Sequence, residues 1–501
     1  MSGSEHSAER TGPRQIQSPR GTRDLYPVEA ARRRWLLDRW REVSIRHGFE
    51  EVDGPTFEES ELYAVKSGEG ILGELFQAFS GKSPDEVEQV KATGRAPFAL
   101  RPEFTPTLAR MYAARAAGLP KPCKWFMAGP FFRAERPQRG RLREFLQWNC
   151  DVIGLDIPPE KWNAEDAEGR AEVAEAKARM DAECIACCVA SLTAFGLSAQ
   201  DVSIRYGSRP VVTSMLRDMR VPEERHDAIF ALLDRHAKMS NDDFEHACAA
   251  ASFDDEGFNA RKELCESLLK KGHEWLRSGD GHRKVQFDFS PLARLSKILD
   301  EIGLGEWCMP DLSIARGLAY YTGTVFEVIA EGERAVAGGG RYDNLIELFG
   351  GPPTPAVGFA MGDVVLSLLL QDKGLMPSDD ELMGLVGQHP DVFVISNGAP
   401  EADASLRPLV ARLRRGTAPQ ASGLKTQDSR LGTPLHVRHS YKASKNVGKL
   451  LKEAGQARAR FAVIIEDAST CTVKDLRENR QWEGRVALAD LHGRLCDALR
   501  A

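Results

Sequence analysis

The alternation of apolar and polar positions predicts a long two-stranded hairpin in the first third of the chain. Apolar, β-prone runs cover residues 125–132 and 145–153, and a polar loop joins them. The loop is dense in cations: Arg133, Arg136, Arg139, Arg141 and Arg143. Arginine forks donate paired, coplanar hydrogen bonds that suit phosphate oxygens. Taken alone, the loop fits a solvated charged turn as well as a site for a polyanion.

On both sides of the hairpin the pattern predicts further strands and helices. Helices are predicted over residues 28–47, 105–117, 158–194 and 364–370, and strands over 49–55, 98–105, 201–206, 325–329, 391–395 and 461–465. Thr105 followed by Pro106 is typical of a helix N-cap and the first helical residue. Residues 337–343, Ala-Gly-Gly-Gly-Arg-Tyr-Asp, are predicted to form a glycine-rich turn.

Shifts in composition divide the chain into segments. These are a disordered tail at 1–18, a main domain at 19–208 and 301–375, a helical insertion at 209–300, a linker at 376–390 and a small α/β domain at 391–501.

Composition is that of a globular cytoplasmic protein. Of the 501 residues, 42% are hydrophobic and 28% are charged, which allows more than one core. The net charge of −6 excludes a basic footprint over the whole chain, so any nucleic acid must be bound by local patches. No run approaches the ~18 apolar residues of a membrane span, and the tail has no apolar segment like that of a signal peptide.

The ten cysteines are scattered, which fits a reducing compartment better than a disulfide framework. Cys184, Cys187 and Cys188 form one cluster in an Ala-rich helical stretch, and no second pair stands at zinc spacing. We therefore predict that these thiols line a buried helix face rather than a metal site.

Four stretches together resemble one protein family. They are Arg20-Gly-Thr-Arg-Asp24, Leu100-Arg-Pro-Glu-Phe-Thr105, the hairpin with its Arg136-Pro-Gln-Arg-Gly-Arg141 tip, and Ala315-Arg-Gly-Leu-Ala-Tyr-Tyr321 with Gly339-Gly-Arg-Tyr-Asp343. The family is that of the histidyl-tRNA synthetases, which are class II aminoacyl-tRNA synthetases. The resemblance covers about residues 19–375 and again about 391–490. Phe-Arg-x-Glu-Arg marks class II in general, whereas the hairpin tip and Arg-Gly-Leu-x-Tyr-Tyr are close to diagnostic for this family and its paralogues.

The resemblance implies both a fold and an activity. The expected fold is an α+β catalytic domain, in which helices flank the class II antiparallel sheet, followed by a C-terminal α/β anticodon-binding domain. Residues 48–55 resemble the motif that builds the homodimer interface. The implied reaction activates L-histidine with ATP and Mg²⁺ to histidyl-adenylate and then passes the histidyl group to the 3′ end of tRNA(His).

A histidine pocket follows from the same resemblance. Its positions are Glu103, Thr105, Gln147, Asp151, Tyr320, Tyr321 and Tyr342. Glu103 and Thr105 would bind the α-ammonium group, and Asp151 and Tyr321 would contact the two imidazole nitrogens. Such a pocket leaves polar groups unpaired when a wrong amino acid binds, and can discriminate by ~10⁴. Asp151 stands where Glu is common, so the pocket must close by one methylene or include a water molecule.

For the nucleotide, the resemblance implies Arg133 and Arg316 as the catalytic cations on the α-phosphate, with Glu135 and Arg141 as further ATP contacts. In-line displacement at phosphorus depends on positioning and on positive charge more than on a base. No protein ligand is assigned to a metal. Arg136 and Gln138 fall where the family contacts the acceptor end of tRNA(His), and arginine readily binds a guanine edge.

Two positions depart from the family pattern. Ala319 replaces the Asp of Leu-Asp-Tyr-Tyr, and residues 363–365, Asp-Val-Val, replace the Leu-Glu-Arg of motif 3. The motif 3 arginine, a γ-phosphate contact in class II enzymes, is thereby absent. Arg334 and Arg341 are the cations proposed to compensate.

The sequence is compatible with three hypotheses about function. The leading one is an active member of the family, and its rival is a non-catalytic paralogue such as the regulatory subunit of ATP phosphoribosyltransferase. A generic RNA-binding module is third. The retained arginines and the C-terminal domain favour the enzyme. In that domain Lys442, Lys445, Lys449 and Lys452 suit phosphate contacts, although each one fits a solvated helix face equally well.

Overall fold

The computed structural model describes residues 16–67, 73–218, 222–226, 230, 289–312, 314, 321–330, 335–416, 433–442 and 444–501. The predicted tail falls outside these ranges except for its last three residues. Most of the predicted helical insertion falls outside them as well.

The chain divides into two compact units. The smaller unit consists of Pro27–Trp35 and Pro377–Ala501, and the larger unit is built from the chain before Pro377 without Pro27–Trp35. The helices up to Met376 are α1 Pro27–Arg46, α2 Ser60–Ser67, α3 Pro84–Thr93, α4 Thr105–Ala113, α5 Ala167–Ala194, α6 Arg209–Asp218, α7 Ser290–Glu301, α8 Leu345–Leu348 and α9 Asp363–Asp372. The strands are β1 Glu50–Glu51, β2 Phe57–Glu59, β3 Gln77–Ala78, β4 Phe98–Leu100, β5 Cys123–Phe132, β6 Glu144–Ile153, β7 Val202–Ser208, β8 Cys308–Pro310, β9 Thr324–Ala330, β10 Ala337–Arg341 and β11 Ala356–Gly362.

One large sheet organises the larger unit. Among the described residues it has eight strands in the order β1-β5-β6-β11-β10-β9-β7-β8. Its central pairs are antiparallel, and the outer pairs β1–β5 and β7–β8 are parallel. Strands β2, β4 and β3 form a second, small sheet. The predicted α+β class is confirmed.

The two faces of the large sheet have different partners. The front face carries Trp125 and Met127, which share a core with Leu108 of α4. On the back face, Trp148 stacks on Trp40 of α1, with ring centroids 6.0 Å apart. Because successive side chains of a strand alternate in direction, the odd-numbered residues of β6 lie on the front and the even-numbered ones on the back.

The cysteine cluster lies on the back face. Cys184, Cys187 and Cys188 belong to α5 and are all fully buried. Burial raises the pKa of the Cys184 and Cys188 thiols well above its ordinary value, which keeps both protonated. The prediction of a buried helix face is therefore confirmed.

Several local predictions differ from the structure. Residues 337–341 form the strand β10 instead of a turn, because their glycines fit between two neighbouring strands. Helix α4 begins at Thr105 and its cap position is Phe104, one residue before the predicted cap. Within the predicted insertion, α7 packs on α5.

The smaller unit is an α/β domain. Its elements are α10 Asp379–Leu385, β12 Val392–Ser396, α11 Pro400–Arg415, β13 Val437–His439, α12 Val447–Gln456, β14 Phe461–Ile465, β15 Thr470–Asp475, β16 Arg480–Gln481, β17 Val486–Ala487 and α13 Leu491–Arg500. The sheet runs in the order β13-β12-β14-β15-β16, with β17 on β15. Helices α11 and α13 cover one face and α12 the other. Helix α10 occupies part of the predicted linker and begins with a capping box at Ser378.

Candidate active site

The predicted hairpin is the pair β5–β6, which stays in register from Cys123 opposite Ile153 to Phe132 opposite Glu144. Its tip closes tightly. The main-chain N–H groups of Gln138 and Arg141 each donate to the other residue's carbonyl, at 3.1 and 2.9 Å. The turn between them needs Gly140, whose φ is +75°.

The four polar residues predicted at this tip differ in exposure. Arg136, Gln138 and Arg141 are exposed, whereas Glu135 is half-buried. The Arg141 guanidinium donates to the Glu135 carboxylate, and Arg143 Nε donates to the Glu135 carbonyl at 3.1 Å. The tip therefore combines an internal ion pair with outward-facing polar groups.

Arg133 is fixed where the tip joins the strands. Its N–H donates to the Arg143 carbonyl at 3.0 Å, and its Nε donates to the Pro102 carbonyl at 3.2 Å. Its guanidinium carbon lies 5.3 Å from the centre of the Phe145 ring, within range of a cation–π contact. These contacts hold the cation on the front face beside the loop that carries Glu103.

That loop is positioned by a buried arginine. Arg101 is 2% exposed; its Nε donates to the Pro130 carbonyl at 3.0 Å and its Nη1 to Asp53 at 3.0 Å. The loop places Glu103 and Thr105, both half-buried, at the start of α4. Arg101 is a supporting residue that the sequence analysis did not single out, although it lies within the Leu-Arg-Pro-Glu-Phe-Thr motif.

Along β6, Gln147, Asn149 and Asp151 line the front face in succession, and all three are buried. The Tyr342 hydroxyl donates to Asp151 Oδ1 at 2.5 Å. Burial, and then the negative charge of Asp151, raises the pKa of Tyr342, so the hydroxyl stays protonated and remains a donor. Tyr321 is also buried and belongs to the same front-face core as Tyr342.

Two buried amide atoms on this face lack a hydrogen-bond partner in the described part of the chain. They are Oε1 of Gln147 and Nδ2 of Asn149. An unsatisfied buried polar atom costs ~1–3 kcal/mol. Such atoms are expected where a polar ligand supplies the missing partner.

Glycines form the floor beneath Asp151 and Tyr321. The pairing of β6, β11 and β10 aligns Asp151, Gly358 and Gly340 across the sheet. A Cβ atom at Gly358 would stand 1.9 Å from Asp151 Oδ1, and one at Gly340 would stand 2.8 Å from the Tyr321 ring. Only glycine fits under these side chains. This role is not evident from the sequence, in which the Gly-Gly-Gly run is typical of a turn.

The altered motif 3 has its own partner. Strand β11 ends at Gly362, opposite Gln147, and Asp363 Oδ1 then accepts the Leu146 N–H at 2.8 Å. The other carboxylate oxygen accepts Arg23 Nη2 at 2.8 Å. Asp363 thus ties the Arg-Gly-Thr-Arg-Asp segment to the hairpin stem, a link that the sequence analysis did not predict.

The suggestion that Arg341 compensates for the missing motif 3 arginine is wrong. Arg341 is 2% exposed and is bound to Asp181 at 2.6 Å and to Asp343 at 3.1 Å on the back face. Four other residues of the sequence prediction, Arg316, Ala319, Tyr320 and Arg334, lie outside the described residues.

Within the residues that the structure describes, no group of three or more His, Cys, Asp or Glu side chains is placed to hold a metal ion. No helix in the same ranges has the length and apolar character to cross a membrane.

A family model described as histidyl-tRNA synthetase matches residues 21–164 and 171–363. The chain belongs to the histidyl-tRNA synthetase family. It is 36% identical over 403 residues to the histidine–tRNA ligase of Haloarcula marismortui, and the aligned region covers 79% of this chain and 81% of that protein. It is 32% identical over 479 residues to the same ligase of Thermococcus kodakarensis, at 93% and 95% coverage.

Solved structures agree on the fold. The histidyl-tRNA synthetase of a Nostoc species matches with a TM-score of 0.65 at 22% identity, over 97% of this chain and 99% of that one. The apo enzyme of S. aureus matches with a TM-score of 0.60 at 21% identity, over 96% and 100%. The curated ligases identify the chain as an aminoacyl-tRNA ligase for histidine and do not favour the regulatory paralogue.

Proposed function

We propose that this chain activates L-histidine with MgATP and then charges tRNA(His). The observation that carries the proposal is the buried Asp151–Tyr342 pair, at 2.5 Å, on the strand that leads to the arginine-rich tip. One β-hairpin thus joins an anionic pocket to a cationic loop. An anionic pocket suits the ammonium group and ring N–H of histidine, and a cationic loop suits the phosphates of ATP.

Histidine recognition is assigned to the front face. Asp151 is proposed to accept an imidazole N–H beside the Tyr342 hydroxyl, which donates to its Oδ1. Tyr321 is proposed for the second ring nitrogen. Glu103 and Thr105 would bind the α-ammonium group, and the unpaired Gln147 amide oxygen is a further acceptor nearby. Tyr320 completes the proposed set.

The nucleotide is assigned to the junction of the stem and the tip. A carboxylate oxygen of histidine attacks the α-phosphorus, and pyrophosphate leaves; Mg²⁺ bound to ATP would offset the negative charge of the phosphates. Arg133 and Arg316 are proposed to stabilise the charge that develops on the α-phosphate. The Glu135–Arg141 pair is proposed to contact ATP, with the arginine exposed and available to an anion.

The tRNA is assigned to exposed residues of both units. Arg136 and Gln138, which face solvent, are proposed to meet the acceptor end. A ribose hydroxyl of the terminal adenosine then attacks the histidyl carbonyl, and AMP leaves. The exposed Lys442, Lys445, Lys449 and Lys452 are proposed to bind phosphates of the anticodon arm.

The assembly is proposed to be a homodimer in the cytoplasm. The small β2-β4-β3 sheet presents Phe57, which is 55% exposed, close to residues 48–55 of the predicted interface motif. Exposed aromatic side chains are typical of surfaces that bind another protein. Sedimentation velocity of the full chain tests this part of the proposal.

The deciding experiment is ATP–pyrophosphate exchange that depends on histidine, followed by charging of tRNA(His) transcripts. Exchange with histidine alone among the amino acids is the expected result. A folded, dimeric protein without exchange would overturn the proposal. Exchange without charging would limit it to the first step.

A further inference from the structure

The back face of the large sheet carries a network of four charged side chains, two of them buried and two partly exposed. Arg341, at the end of β10, donates to Asp181 of α5 at 2.6 Å and to Asp343 at 3.1 Å. Asp343 also accepts from Lys177 at 2.6 Å. The side chains of Arg341 and Asp181 are only 3% and 4% exposed. With two cations and two anions, the network is neutral overall.

Further hydrogen bonds fix this network to three elements. Thr324 of β9 donates to the second oxygen of Asp181 at 2.7 Å. Arg341 donates to the Lys177 carbonyl at 2.9 Å, and its own carbonyl accepts the Thr322 N–H at 2.8 Å. Helix α5 and strands β9 and β10 are therefore held together on the back face, behind the part of the sheet that carries the front-face pocket.

Tyr342 lies between two members of the network in sequence and points to the opposite face. Its N–H donates to the Ala356 carbonyl at 2.8 Å, and its hydroxyl reaches Asp151. Strand β10 reads Ala-Gly-Gly-Gly-Arg, so Arg341 is its one residue with a side chain larger than methyl. Glycine loses the most backbone freedom on folding and adds no side-chain packing. Besides the backbone pairing with β9 and β11, the side-chain contacts that position β10 therefore come chiefly from Arg341.

A gain in folding stability does not by itself explain why a buried ion pair is present at Arg341 and Asp181. Desolvation of the two charges offsets much of their attraction, and an apolar pair of similar volume is often as stabilising. An ion pair adds direction, because its hydrogen bonds hold only in one geometry.

We propose that Asp181 and Arg341 are positioning residues for amino-acid binding: from the back face they fix β10 so that Tyr342 meets Asp151 on the front. This inference rests on the proposed function, since it takes histidine to bind beside Asp151 and Tyr342. It predicts that the network sets the affinity for histidine and leaves the affinity for ATP unchanged.

The test uses Asp181→Asn and the milder Thr324→Val in the full chain, with exchange rates divided by the active-site concentration. We expect Asp181→Asn to raise KM for histidine about tenfold and Thr324→Val to raise it roughly threefold, with KM for ATP unchanged. A merely structural role would lower the active fraction and leave KM of the remaining enzyme as it was. Should Asp181→Asn fail to fold, Thr324→Val carries the test.

The matched control is Asp156→Asn, which removes a similar bond to Arg179 of α5, at 2.7 Å, on the exposed side of that helix. It should change neither KM. Asp181→Asn is then combined with Tyr342→Phe. If Asp181 acts through Tyr342, the double variant resembles Tyr342→Phe alone, whereas multiplied effects overturn the inference.

The outcomes also separate this inference from the proposed function. If the unaltered chain shows no histidine-dependent exchange, the proposed function fails and this inference fails with it. If the unaltered chain is active and Asp181→Asn and Thr324→Val leave KM for histidine unchanged, only the positioning role is overturned.

Discussion

Asp151 is the side chain on which the proposed recognition of histidine depends most. It is 2% exposed, and its Oδ1 accepts the hydrogen bond of the Tyr342 hydroxyl. Asp151→Asn should raise KM for histidine about 10- to 100-fold, because a hydrogen bond to a charged group contributes ~1.5–3 kcal/mol. The exchange assay measures this change. Asp156→Asn, five residues further on and bound to a surface arginine, should have no effect.

Glu183 gives a prediction about pH. Hydrogen bonds from His47 and then Lys124 lower the pKa of Glu183 from 4.5 to about 2. A carboxylate whose pKa is lowered by folding stabilises the folded state above its ordinary pKa. This contribution is lost as the pH falls from 4.5 through about 2. Glu183→Gln should therefore flatten the loss of stability in urea unfolding between pH 5 and pH 3.

Glu168→Gln, at an exposed position of the same helix, is the control for the pH experiment. It should follow the unaltered chain at every pH. A Glu183→Gln variant with the same acid dependence as the unaltered chain would contradict the assignment.

At this scale the sequence predicts residues whose chemistry is tied to a motif, such as Asp151 and Arg133. It does not predict those whose role depends on what lies opposite. Arg341 illustrates the limit, because only the fold shows that two carboxylates surround it. Gly358 is a second case, since its close approach to Asp151 depends on the pairing of β6 with β11.

Among the elements, strand β11 makes a sharp prediction about its glycines. Gly358→Ala would place a Cβ 1.9 Å from Asp151 Oδ1, whereas among the described residues the nearest atom to a Cβ at Gly362 is the Leu146 carbonyl oxygen, at 4.0 Å. Gly358→Ala should therefore abolish histidine-dependent exchange or destabilise the fold by ~1–3 kcal/mol or more. Thermal unfolding and exchange measure the two effects. Gly362→Ala on the same strand should be close to neutral, and equal effects would contradict the steric account.

The start of α9 gives a second prediction at this scale. Asp363→Ala removes the acceptor of the buried Leu146 N–H and frees Arg23 from its ion pair. We expect a loss of ~1–3 kcal/mol in the free energy of unfolding, because a buried donor is left unsatisfied. Faster proteolysis before residue 26 should accompany it. Asp372→Ala, which breaks an exposed pair with Arg139 at the other end of α9, should do neither.

Elements follow from sequence where the period is long and regular. Strands β5 and β6 are predictable because ten-residue apolar runs flank an obvious loop. Helix α10 is missed because seven residues show too little periodicity to separate a short helix from a linker. Its capping box, Ser378 with Glu381, was the available signal.

For the whole molecule, the two units predict that the two reaction steps can be separated. Formation of the adenylate needs no tRNA, so changes confined to the smaller unit should spare it. Replacement of Lys449 and Lys452 by Glu should lower kcat/KM for tRNA roughly tenfold, with a weaker salt dependence, because phosphate contacts release counterions. ATP–pyrophosphate exchange should be unchanged.

A matched control makes the same kind of charge reversal at a different surface of the smaller unit. Arg477 and Arg480 are exposed on the β15–β16 side of the same small sheet. Their replacement by Glu should leave charging intact. Equal losses from both double variants would indicate a general charge effect and would contradict a specific phosphate contact.

The glycine floor of the proposed histidine pocket limits how its amino-acid specificity can evolve. Gly340 and Gly358 already carry the smallest possible side chain, and the strands they belong to lie between other strands. No substitution can therefore deepen this wall. Room for a larger amino acid would have to come from Asp151, Tyr321 or Tyr342, the same groups proposed to bind the imidazole ring. A change of substrate at this site would thus begin with the loss of histidine binding. Evolutionary intermediates would bind neither amino acid well, so the amino-acid specificity should change slowly.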